Sequence, residues 1–158
     1  MNNILLRVLT VVLSGVSPEP FEEKTVPFKN LPAECAAVYN TELRDFRQAT
    51  ATEVISVDLD GDKINELLLF NGESGSGGEG WVIMKKYRDK YRKAGEVFGI
   101  LYKSDKGLIV KTPCGCNNAK WGYYELINGK LVLKLDVDVE YSKRIRLEPA
   151  SLNIKMTR

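Results

Sequence analysis

From Val54 onward the apolar residues of this chain fall at every second position, and short polar turns interrupt them at regular intervals. Alternation of that kind puts one set of side chains on each face of an extended strand, so the pattern predicts strands rather than helices. Ile55, Val57 and Leu59 alternate with Ser56, Asp58 and Asp60. Leu67 to Phe70 is apolar on both faces and reads as a central strand. Trp81 to Tyr87 and Tyr91 to Tyr102 flank the polar turn Arg88-Asp89-Lys90, and Leu108 to Thr112 is a further short strand. Trp121 to Ile127 and Lys130 to Val139 surround Asn128-Gly129, a pair that tolerates positive φ and marks a tight hairpin. Along the second arm Leu131, Leu133, Leu135, Val137, Val139 and Tyr141 alternate strictly, with Lys134, Asp136, Asp138 and Glu140 between them. Ile145 with Leu147, then Leu152, Ile154 and Met156, suggest closing strands. The expected fold is mainly β (α+β), an antiparallel sheet of β-hairpins with one N-terminal helix.

That helix is expected near residues 32–48. Leu31, Cys35, Val38, Leu43 and Phe46 approximate helical spacing, and Pro32 suits a first helical turn. Before it, Ser17 to Pro32 holds Pro18, Pro20, Pro27 and Pro32, which favours an extended connector over regular pairing.

With 158 residues, 44% hydrophobic and 28% charged, the chain has enough apolar surface for one domain and no need of a metal or disulfide merely to fold. Its formal charge of +2 gives no electrostatic reason to expect a nucleic-acid partner. There is no histidine, which removes Ser-His and Cys-His catalysis, His-ligated zinc and any imidazole switch.

Residues 1–17 read as a signal peptide or as a first strand. Arg7 closes a short positive region, Val8 to Leu13 is a minimal apolar core, and Ser14, Gly15 and Ser17 are small enough for cleavage. Against this, Leu5, Leu9, Val11 and Leu13 fall on one face of a strand. The stretch is too short and interrupted for a stable membrane span. Residues 18–158 then form a single β-rich domain. Of the three cysteines, Cys35 would bridge to Cys114 or Cys116 in an exported protein, and all three would stay reduced in a cytosolic one.

The segment 58–66, Asp58-Leu59-Asp60-Gly61-Asp62-Lys63-Ile64-Asn65-Glu66, places carboxylates at relative positions 1, 3, 5 and 9 around a glycine turn. Calcium takes six to eight oxygens, and such a loop offers Asp58, Asp60, Asp62 and Glu66 plus the Ile64 carbonyl. Two carboxylates about 5 Å apart repel by roughly 3 kcal/mol at an effective dielectric near 20. The converging acids therefore call for a counter-ion, or the loop splays into water as an acidic turn. Leu69 stands where an EF-hand needs its last glutamate, which excludes that motif.

The run VDLDGDKINELLLF resembles the calcium loop of FG-GAP and VCBS-type repeats, and GSGGEGWVIMKKYRDKYRKAGEVFG resembles the way such units continue. The resemblance spans about Val54 to Gly99. It implies calcium at Asp58, Asp60 and Asp62, on a β-hairpin of the kind found in integrin-like propellers and many exported bacterial proteins. Lys63 replaces the usual glycine after the third aspartate and Glu66 replaces the usual final aspartate. One copy is visible, too few for a propeller.

Other segments read as scaffold. Gly72 to Gly80 lacks the Gly-Lys-Ser/Thr ending of a phosphate loop and carries Glu73 and Glu79, so it is expected to be a flexible strand connection. Lys85 to Lys93 interleaves bases with Tyr87 and Tyr91, which on a hairpin means a solvated basic face with the tyrosines packed inward. Trp121, Tyr123 and Tyr124 are expected in the core or on a sheet face. No nucleophile has a base beside it. The expectation is a non-catalytic calcium-binding module, periplasmic or secreted, that binds a protein such as a secreted enzyme or toxin in the manner of an inhibitor or immunity protein. The alternatives are a small hydrolase using Asp58, Asp60 and Glu66, or a cytoplasmic β domain whose acidic turn holds no metal.

Overall fold

The computed structural model describes residues 21–41, 49–104, 106–114, 118–140 and 154–156. The signal-peptide or first-strand segment 1–17, the stretch Leu43 to Phe46, Tyr141, Ile145, Leu147 and Leu152 lie outside them. Among the described residues nine strands pair antiparallel in chain order: β1 (Glu23–Pro27), β2 (Ala51–Val57), β3 (Glu66–Gly75), β4 (Gly78–Tyr87), β5 (Lys90–Ser104), β6 (Gly107–Pro113), β7 (Asn118–Ile127), β8 (Lys130–Glu140) and β9 (Ile154–Met156). One α-helix, α1 (Ala33–Thr41), is present among the described residues. The mainly β expectation with a single N-terminal helix holds.

The meander folds back on itself at β5. This strand pairs with β4 through Lys90 to Gly99 and with β6 through Ile100 to Ser104. Gly99 sits at the change of partner with φ +149°, and a Cβ there would stand 2.6 Å from the Lys111 carbonyl oxygen. The corner requires glycine for that reason. Folding over brings Ile55, Val57, Leu68, Trp81 and Ile83 against Leu101, Leu108 and Val110, with Tyr124, Leu126 and Leu131 closing the same core. On the opposite face of the first half, Cys35, Val38 and Tyr39 of α1 cover Val54, Leu69, Val82 and Met84. The Tyr39 hydroxyl donates to the Phe70 carbonyl at 2.8 Å and lies 2.9 Å from the Thr52 hydroxyl, which fixes the helix on β2 and β3. Both faces of β2, β3 and β4 are thus buried, as their continuous apolar runs require.

Several expectations are corrected. Part of the proline-rich connector is a strand: Glu23 to Val26 contain no proline and pair as the edge strand on β2, and Pro27 ends it where no further ladder donor is needed. Gly72 to Gly80 is strand around a short turn and not a flexible connection, because beyond an irregularity between Phe70 and Ser74 the ladder resumes, Ser74 pairing with Glu79 and Gly75 with Gly78 around the Ser76-Gly77 turn. The alternation along β8 does not keep one face. Tyr123 pairs with Leu135 and Tyr124 with Leu133, so a bulge at Lys134 sends Leu131 to the folded-over core and Leu135, Val137 and Val139 to the opposite face, beside Trp121 and Tyr123. Cys35 and Cys114 do not bridge: both thiols are free, one buried under α1 and the other exposed after β6. Cys116 lies outside the described residues.

The hairpin turns follow the sequence closely. Asn128 and Gly129 take φ of 52° and 74°, and Arg88 opens the β4–β5 turn at 56°. Tyr91 packs against the helix-covered core as expected. Tyr87 does not pack inward; it is 56% exposed, with the Arg92 guanidinium 5.3 Å from its ring centroid. It lies beside the turn and in register with Lys90, beyond the end of the core. Trp121 and Tyr123 are buried, Trp121 stacks on Tyr102 at 5.5 Å, and Tyr124 is half-buried in the folded-over core.

Candidate metal centre

The inward positions of β2, β3 and β4 form rows whose middles are apolar and whose ends are charged. Ile55 pairs with Leu68 and Val57 with Glu66; Leu68 pairs with Ile83 and Phe70 with Trp81. Period two therefore delivers Glu66 and Lys85 to the end of the row where the β2–β3 loop begins. Lys85 lies one register step beyond the Leu67–Met84 pair, opposite Glu66.

The loop 58–66 closes over that end through its own side chains. Asp58 accepts from the Gly61 amide at 2.7 Å and from the Lys63 amide at 3.0 Å, and Asp62 accepts from the Ile64 amide at 2.8 Å. Such short aspartate-to-backbone bonds hold a tight turn against splaying. Gly61 takes φ +81° and Lys63 φ +67°. Leu59, 1% exposed, anchors the loop in the core, and its amide donates to Glu66 Oε2 at 2.8 Å.

Asp58, Asp60 and Glu66 each bring a carboxylate oxygen within 4.8 Å of the others. Asp62 joins this group through Lys85. The Lys85 ammonium lies 2.7 Å from Asp60 Oδ2, 2.9 Å from Asp62 Oδ2 and 2.9 Å from Glu66 Oε1. The charge argument required a counter-ion or an open loop, and the chain provides a cation of its own from β4. Sequence spacing within 58–66 misses this residue. The signal that reveals it is a lysine continuing the inward row Trp81, Ile83, Lys85, where an apolar side chain would extend the core.

The electrostatics follow from burial. Glu66 is fully buried, and loss of water pushes its carboxyl above the usual glutamate range despite the Leu59 amide and Lys85. The Lys85 hydrogen bond, with the Ile64 amide, holds Asp62 below the usual range. Burial works against the Lys85 ammonium, but its three carboxylate partners outweigh that and keep it protonated. One acceptor is left over: Asp60 Oδ1 is buried and has no hydrogen-bond partner. The Ile64 side chain is 44% exposed, outside the core.

The donor set is all oxygen, hard and anionic, which suits calcium or another hard divalent cation better than a transition metal. No cysteine or histidine approaches it among the described residues. No helix among the described residues is long and apolar enough to cross a membrane. No protein-family model matches the chain, and neither a curated protein nor a solved structure matches it.

Proposed function

We propose that the protein is a non-catalytic β module whose 58–66 loop takes up calcium, with Asp58, Asp60, Asp62 and Glu66 as side-chain ligands and Ile64 as a carbonyl ligand. The observation that carries this reading is the meeting of three carboxylates within 4.8 Å around Asp60, whose Oδ1 is buried without a partner. A buried acceptor left unmade costs roughly 1–3 kcal/mol, and a cation at that point removes the cost. Lys85 is the counter-ion of the metal-free loop, and its ammonium would give up these contacts to a bound calcium. The likeness of residues 54–99 to FG-GAP and VCBS-type loops supports the same assignment.

A rigid loop on a β scaffold, with no nucleophile–base pair among the described residues, suits binding better than turnover. We infer a partner protein outside the cell or in the periplasm, such as a secreted enzyme or toxin, since calcium is scarce in cytosol. Calorimetric titration of calcium into the chelator-treated protein tests the site, with Asp60→Ala as control. Binding in the micromolar to millimolar range that is lost in the variant sustains the reading.

A second reading is favoured by the three Lys85 contacts: the ammonium is the permanent cation and the cluster is a structural lock. Silent calorimetry, with one melting temperature in calcium and in chelator, selects the lock and removes the metal.

A further inference from the structure

The opposite end of the same inward rows carries a second group of acids, with no cation paired to it among the described residues. Glu53 precedes Ile55 on the inward face of β2, Glu23 pairs with Ile55 from β1, and Glu79 precedes Trp81 on the inward face of β4. Along β2 this end lies roughly 16 Å from Asp58. Here a cleft of about 300 Å³ opens into the folded-over core, at the small end of the range for ligand pockets.

Its chemistry is divided. Glu23 and Glu79 stand on its wall, while Ile55, Trp81, Ile100 and Leu101 supply apolar surface. Trp81 is 1% exposed, so its ring is a fixed part of the floor, and Ile100 is 41% exposed at the rim. Gly75, Gly78 and Gly99 line the cleft with no side chain to fill it. Gly78 packs so closely on Gly99 that a Cβ there would fall 2.3 Å from the Gly99 carbonyl carbon, which keeps that wall bare. Among the described residues no ion pair reaches Glu23, Glu53 or Glu79. At the other end, by contrast, the Lys85 ammonium pairs with three carboxylates. Burial, then Glu79 and Glu53, push the Glu23 carboxyl above its usual range, as expected of anions crowded without a partner.

We propose that this cleft binds an organic cation: an ammonium or guanidinium head held between Glu23 and Glu79, with an apolar stem laid along Ile100 and Leu101 above Trp81. An inorganic cation would leave the apolar floor unused, and a neutral apolar ligand would leave the two carboxylates unbalanced at the mouth. Free organic amines and the basic side chains of a partner protein share this chemistry, and the arms of the test separate them.

The protein is titrated with phenethylammonium chloride while amide and indole NMR signals are followed. Parallel titrations use phenethyl alcohol as the neutral analogue and a short peptide carrying one arginine between leucines. The expected result is saturable shifts at Glu79, Trp81 and Ile100 with the amine. Binding falls roughly tenfold in the Glu23→Gln/Glu79→Gln double variant, the loss expected for a charge-assisted contact. The alcohol is weaker by a similar factor. The double variant removes only repulsion, so its melting temperature is expected to be unchanged or raised. A peptide that binds more tightly than the amine assigns the site to a partner's side chain; the reverse order assigns it to a free amine. The proposal is overturned if neither cation gives saturable shifts up to about 10 mM. It is equally overturned if the double variant binds the amine as well as the parent, or if the alcohol matches the amine.

Discussion

Lys85 Nζ stands 2.9 Å from Glu66 Oε1, and Glu66 has no exposed surface at all. The two come from facing positions on adjacent strands, so the strand register itself brings them together, independently of the loop. Removing a buried carboxylate's cation leaves a charge that water cannot reach. Lys85→Met is therefore expected to destabilise the fold by about 3–5 kcal/mol in chemical denaturation. The double variant Lys85→Met/Glu66→Leu should recover most of that loss, because an apolar pair of similar volume fits the end of an apolar row. A double variant no more stable than Lys85→Met would mean that Glu66 is not the group Lys85 neutralises.

Lys63 takes φ +67° at an exposed position, where a side chain is strained and glycine is not. Lys63→Gly should raise stability by about 1 kcal/mol, the relief of the left-handed conformation exceeding the added chain entropy. A melting temperature that falls would show that the Lys63 side chain contributes more than its backbone costs. The same substitution removes a positive charge beside the acids, so under the calcium reading it also tightens calcium binding.

Gly95 on β5 faces β8, and a Cβ placed there would lie 2.8 Å from Leu131 Cβ. The neighbouring atom is the root of a side chain and cannot swing away. Gly95→Ala is expected to cost about 1–3 kcal/mol through overpacking where the meander folds over. A neutral result in urea denaturation would mean that β5 and β8 do not approach this closely in solution.

Most of the hairpins from β4 onward were legible because their turns carry their own chemistry and the ladder needs only local pairing. Asn128-Gly129 and Arg88-Asp89 each join sequence neighbours, so hairpin after hairpin could be read from alternation and punctuation. What alternation hides is any shift of phase. The extra residue at Lys134 turns Leu131 and Leu135 to opposite faces, although the sequence between them alternates without a break. The acidic loop was legible as a cluster, since its members lie within a few residues of one another. Its counter-ion was not, because Lys85 reaches Asp62 and Glu66 from 23 and 19 positions away and only the β3–β4 register brings it there. Glu23, Glu53 and Glu79 were hidden for the same reason: three strands contribute one residue each.

The interface between α1 and the sheet carries the last expectation. Cys35 is fully buried, and burial, with Glu34 adding to it, pushes its thiol up to about 12. Tyr39 on the same face is also pushed up to about 12, chiefly by burial. Both groups hold their protons more tightly in the folded chain than in the unfolded one, where the thiol ionises near 9 and the phenol near 10. The unfolded state therefore binds fewer protons across that interval, and stability falls as pH rises through it. Denaturation midpoints should stay flat with respect to these two groups up to about pH 8 and then decline towards pH 11, with a shallower decline in Cys35→Ala once its own packing cost is subtracted. Thiol alkylation at pH 8 gives an independent check. Cys114, exposed after β6, should react at the rate of a free thiol, and Cys35 only as fast as the helix opens from the sheet. Equal rates for Cys35 and Cys114 would show that α1 does not cover β2 and β3.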